Sequence, residues 1–146
     1  MQRGAILLIS SMKHYITKSG ATIIVGRNSR ENEKLTFEIA KAHDLWFHAS
    51  NVQGAHVILT SPDNKHTPDD IQYAANLAAE HSNIKKIYEN MKNNSNYMVQ
   101  VNYCKVIDVL KPKHAPCGTV SLMNYNIINT TPYSKVSSYK IIYYKK

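Results

Sequence analysis

Three groups of residues have types and spacings that could do chemistry. Arg27 and Asn28 follow a glycine and precede a helical pattern. Backbone N–H groups and a forked guanidinium could converge there on one phosphate. The competing arrangement pairs Arg27 with Asp44 or Glu33 and leaves Asn28 as a helix cap. The lysine and further glycines of a nucleotide-binding P-loop are absent. His48 and His56 form the second group, with Asp44 nearby in sequence. Zinc takes three or four suitable ligands, and two histidines are too few, so no metal is expected. Imidazoles could instead contact phosphate or ribose, and with an ordinary pKa near 6.5 they would make binding differ between pH 6 and pH 8. Satisfied structural histidines are the alternative. Lys105, Lys111 and Lys113 are the third group. Lys111-Pro112-Lys113 projects two cations from a stiffened loop, as a phosphate-facing group would, although a solvated loop has the same composition. Ser50, His48 and Asp44 crowd one strand and its exit, and no paired acids stand at a recognisable spacing. Neither catalysis nor a cofactor is expected.

The elements that must position these groups can be read from periodicity. His14–Lys18 and Thr22–Gly26 read as a hairpin turned at Gly20. A helix should run from Arg30 to Ala42, capped by Asn28 or Ser29, with Leu35, Ile39 and Ala42 on one side. Leu45–Ser50 and Ala55–Ser61 read as an antiparallel pair. If His48 faces His56, Trp46 falls opposite Ile58 and both histidines point the same way. Trp46, the lone tryptophan of a small domain, is expected in the core rather than stacked on a base. Tyr97, Tyr103, Tyr125 and Tyr133 lie among basic residues and are the better stacking candidates. Pro68–Ser82 is the clearest helix, with Thr67 at its cap and alanines on its packing side. The segment 83–96 reads as a loop with at most a frayed turn at Ile84–Met91. Tyr97–Leu110 alternates as a long strand, and Gly118–Met123 and Val136–Tyr144 are the last strand candidates, joined by a polar stretch. This order gives an α+β single domain, a largely antiparallel sheet with two main helices packed on it.

Charge narrows the partner. The chain carries a formal +8, but residues 1–90 hold ten Lys/Arg against nine Asp/Glu, whereas 91–146 hold eight lysines against Asp108. An excess confined to one part of the chain suits a polyanion. No Lys-rich amphipathic helix points to a membrane surface, and no apolar run is long enough to span one. Cys104 and Cys117 fit neither a disulfide framework nor a zinc site, and read as reduced thiols. Residues 1–12 read as a flexible lead, or as upstream of a start at Met12, ahead of the domain at 13–146.

Several ordered stretches resemble the RNA-binding domain of the NFACT proteins. They are Val25-Gly26-Arg27-Asn28, Asn32 with Leu35, Asp44-Leu45-Trp46-Phe47-His48, and Gly54-Ala55-His56-Val57-Ile58. They continue with Ala74–Ser82, Val99–Tyr103 and Lys111-Pro112-Lys113 before Gly118. The resemblance implies a cytoplasmic RNA-binding module of ribosome-associated quality control, with an organelle matrix as the alternative compartment. It implies transfer RNA or large-subunit ribosomal RNA as partner, and a stand-alone form or fragment of the family. Arg27, Asn28, His48, His56, Lys105, Lys111 and Lys113 are then the RNA-binding candidates. The sequence departs from the family at Ala55, where serine is usual, at His114, Pro116 and Cys117, and in the length of 83–96. A protein-docking module, an accessory of an RNA-modifying assembly and a DNA binder are the other readings.

Overall fold

In a computed structural model, residues 12–90, 97–136 and, as backbone, 143–145 are described. The fold is α+β. Strands β1 (Lys13–Ile16) and β2 (Thr22–Val25) form the expected hairpin, and Gly20 sits at φ 88° in its turn, where a side chain would be strained. The following helix α1 covers Ser29–Lys34 and then widens into a π-turn over Leu35–Ile39, ending three residues short of expectation. Asn28 caps it, accepting from Glu31 N at 2.9 Å. Strands β3 (Leu45–Ala49) and β4 (Val57–Thr60) pair with Trp46 opposite Ile58, the register expected if His48 faces His56. Helix α2 (Pro68–Glu80) starts on the Thr67 cap, and a short helix α3 (Asn83–Glu89) occupies much of the segment expected as loop.

The long strand breaks where its alternation ends. β5 is Val99–Lys105, a 3-10 turn follows, and β6 (Val109–Leu110) leaves to pair with β7 (Ser121–Leu122) as a separate ribbon. β8 (Asn126–Thr130) lies in the polar stretch where no strand was expected, and it adds to β5 as the sheet's edge. β9 (Tyr143–Lys145) pairs with β1, and the rest of the Val136–Tyr144 candidate falls largely outside the described residues. The main sheet runs β8-β5-β3-β4-β2-β1-β9, and every pairing is antiparallel.

Burial divides by sheet face. One core joins Ile23, Phe47, Val57, Leu59 and Val101 to the alanine side of α2, which lies close to the sheet because it carries little bulk. The second core, on the opposite face, holds Met12, Leu35, Trp46, Ile58, Cys104 and Val109. Trp46 is a core residue, 2% exposed. Met12 is buried as well, so the expected flexible lead loses its last residue, and residues 1–11 lie outside the described part. Of the four tyrosines, Tyr97 is buried and stacks on Tyr88, Tyr103 stacks on Phe47, and Tyr133 packs near Tyr15; Tyr125 is exposed. Stacking on bases therefore falls to Tyr125 alone among them.

Candidate nucleic-acid interface

The β2–α1 turn, the β3–β4 turn, the α2–α3 junction and the 116–119 loop enclose an open cleft of about 940 Å³. Its back wall depends on Gly26. The Gly26 N–H donates to His56 O at 3.0 Å, and a Cβ at this position would stand 2.3 Å from Asn32 Oδ1. That oxygen is already used, since it accepts from His56 N at 3.0 Å, while Asn32 Nδ2 donates to Gly54 O at 3.3 Å. One buried amide thus ties α1 to the ends of the β3–β4 turn. Sequence reasoning gave Asn32 no role of its own, because a single Asn in a helix carries no periodic signal. Gly54 completes the joint. It bridges Ser82, and a Cβ there would meet Ser82 Cβ at 3.0 Å.

Arg27 sits on the rim. Its guanidinium forks onto Glu31, with Nη2–Oε2 at 2.7 Å and Nε within 3.1 and 3.2 Å of the two oxygens. Its backbone N–H also donates to Glu31 Oε1 at 2.9 Å. The carboxylate is buried, 3% exposed, and needs this neutralisation. The acids proposed from sequence are engaged elsewhere. Asp44 accepts from Lys41 N at 2.8 Å, and Glu33 takes Lys111 Nζ and Gly118 N, both at 2.7 Å. These two contacts hold the Glu33 carboxyl below its ordinary range, with the Lys111 bond the larger cause.

The histidines share the inner wall. Their ring centroids are 5.5 Å apart, and both rings contact Trp46. His56 is 3% exposed, and its Nδ1 shares a 2.8 Å hydrogen bond with Thr36 Oγ1 in the π-turn. Burial, reinforced by the neighbouring His48, pushes His56 down to about 3. Burial also lowers His48, and it takes His81, on the same cleft, to about 4. Burial thus disfavours the charged form of all three rings, which weighs against a histidine pH switch in binding. Neutral imidazoles remain hydrogen-bonding groups, and His48 is only half-buried.

The pH effect should appear in stability instead. Above pH 6.5 neither the folded nor the unfolded chain protonates these rings. Below it the unfolded chain takes up protons that the folded chain cannot. His56 and His81 should then each cost the folded state about 1.4 kcal/mol per pH unit until the folded pKa is reached. Urea melts between pH 7 and pH 4.5 should show stability falling with pH, and His56→Gln should flatten that slope.

Of the seven residues singled out from sequence, Arg27, Asn28, His48 and His56 line this cleft, and Lys105, Lys111 and Lys113 do not. Lys111 points into its own loop, bonded to Glu33 and to the carbonyls of Pro116 and Thr119, so it is an anchor rather than a phosphate contact. Lys105 and Lys113 are exposed away from the cleft. The cleft instead brings in Lys13, Lys85 and Lys86. Lys85 pairs with Glu80, whereas Lys13 and Lys86 have no carboxylate partner among the described residues. Charge counting missed them because residues 1–90 balance overall, and only folding gathers these cations. Among the described residues no three His, Cys, Asp or Glu side chains converge, and no helix is long and apolar enough to cross a membrane.

The family model for the NFACT protein RNA binding domain matches residues 11–122. The chain belongs to this family. The NFACT domain is also similar to the Rqc2 homolog RqcH of Bacillus subtilis, 34% identical over 123 residues, covering 83% of this chain and 19% of that protein. RqcH of Streptococcus suis is 36% identical over 132 residues, covering 88% and 22%. The chain therefore spans about a fifth of the length of these curated relatives. Among solved structures, it is similar to the C-terminal part of the fibronectin/fibrinogen-binding protein of Streptococcus suis. The TM-score is 0.71 at 30% identity, over 87% of this chain and 48% of that one.

Proposed function

We propose that this NFACT domain binds RNA through the cleft, as a non-catalytic module of cytoplasmic ribosome-associated quality control with transfer RNA or large-subunit ribosomal RNA as its target. The observation that carries this reading is the convergence of Lys13 and Lys86, without carboxylate partners among the described residues, on a cleft walled by Arg27, Asn28 and His48. Lysine heads on a polar wall suit phosphate oxygens, and the half-buried His48 suits a ribose hydroxyl. The RqcH relatives support the quality-control assignment.

The name of the Streptococcus suis structural relative supports a protein-docking function as the second reading. Titration separates the two. RNA binding should weaken with salt, with a log–log slope of about −0.7 per phosphate contact on single strands. Transfer RNA should bind more tightly than DNA of matched length. Salt-insensitive binding, or equal capture of partner protein after RNase treatment with no measurable RNA affinity, would favour docking.

A further inference from the structure

The sheet continues beyond the cleft as an uncharged surface that the fold leaves open. Moving outward from His48, the register runs to Asn102 on β5 and then to Ile127 on β8. The next row out places Gln100 beside Asn129, and Ser50 N donates to Gln100 O at 2.8 Å. Helix α1 and the β6–β7 region cover the row behind, where Trp46 and Cys104 are buried. They leave this part exposed: Ile127 is 53% accessible, and Gln100 and Asn129 face solvent.

Two features set the surface apart from an ordinary solvated sheet face. None of these six side chains is a lysine, arginine or carboxylate, although the chain carries +8. The amides are also poorly satisfied within the protein. Asn102 Oδ1 is shielded from water without a partner, and Asn102 Nδ2 and Gln100 Nε2 reach only Ser50 Oγ, at 3.5 and 3.4 Å. Asparagine is disfavoured in strands, so Asn102 and Asn129 gain nothing for the sheet itself.

We infer that this face of β3, β5 and β8 receives unpaired RNA bases while the adjoining cleft holds their phosphates. The inference rests on the cleft being an RNA site. Charge is unevenly divided about His48, with Lys13, Arg27, Lys85 and Lys86 outnumbering Glu80 and Glu89 on the cleft side and uncharged groups on the other. The exposed Gln100 and Asn129 amides offer the paired donor and acceptor that base edges present, and Ile127 offers an apolar seat for a base plane. Strands about 4.8 Å apart place Asn102 and Ile127 one and two steps from His48, so one strand of RNA can meet both surfaces.

The test compares an oligoribonucleotide of about ten residues with an abasic ribose-phosphate oligomer of equal length. The intact chain should bind the base-bearing oligomer about tenfold more tightly. Gln100→Ala/Ile127→Ala/Asn129→Ala changes only exposed side chains. It should remove that preference while keeping the abasic affinity and the salt slope. Asn102→Ala, checked by its melting curve, should reduce the preference on its own. Equal affinity of the intact chain for both oligomers, or a preference that survives the triple variant, would overturn the inference and leave the phosphate cleft standing. Loss of protein capture by the triple variant with the RNA preference intact would overturn it in favour of protein docking. Failure of the intact chain to bind either oligomer would instead remove the RNA reading itself.

Discussion

Gly26→Ala should destabilise the domain by about 3 kcal/mol, because the new methyl group meets a full site and breaks the hydrogen bonds that fill it. Backbone strain is not the cause. The methyl carbon would stand 2.3 Å from Asn32 Oδ1 and 3.2 Å from Asn32 N and Cα, so a side-chain rotation alone gives no relief. If Asn32 moves, His56 N loses its acceptor in the interior, and Gly54 O loses its donor. In a chain of this size the loss corresponds to a fall in melting temperature of about 10 °C. The Gly26→Ala/Asn32→Ala double variant should lose less than the sum of the singles, since each disrupts the same joint. A shift of a degree or less in Gly26→Ala would refute this account of the joint.

Arg27→Ala should cost about 2 kcal/mol, chiefly by stranding the Glu31 carboxylate. The figure is kept below that of a fully buried pair because half of the Arg27 side chain is exposed. Adding Glu31→Gln should recover most of the loss, since an amide can be buried without a counter-charge. Arg27→Lys should fall between the two, keeping the charge and losing the fork. Chemical denaturation of the four proteins measures this. Equal destabilisation in Arg27→Ala with and without Glu31→Gln would show that charge compensation is not what Arg27 supplies.

The sequence was most legible where local rules and burial agree. β3 and β4 were legible as an antiparallel pair, with Trp46 opposite Ile58 if His48 faces His56; both faces of these strands are buried, so alternation alone did not choose the register. Thr67, Pro68 and the alanines of α2 carried cap and packing face together. β8 was not legible. Asn126-Ile127-Ile128-Asn129-Thr130 breaks its β-branched residues with two asparagines, which strands disfavour, and β5 offers it an edge to pair with. The site divides the same way. Arg27, Asn28, His48 and His56 were found from glycine turns, alternation and the family stretches. Lys13 and Lys86 lie on different elements, and tertiary packing alone unites them. Lys111 shows the converse error. Its loop composition suggested an outward cation, while Glu33, distant in sequence, draws it inward.

The central claim, that the cleft is where RNA phosphate is held, is tested most directly by comparing two charge-matched variants in one RNA titration series. Lys13→Ala/Lys86→Ala removes two cleft cations, and Lys105→Ala/Lys113→Ala removes two exposed ones that do not line it. Equal net charge makes any difference between them a matter of position. The account predicts that the first variant binds transfer RNA at least tenfold more weakly, with the salt slope reduced by one to two contacts, and that the second stays within about threefold of the unmodified chain. Equal losses in both, or a loss confined to Lys105→Ala/Lys113→Ala, would contradict it.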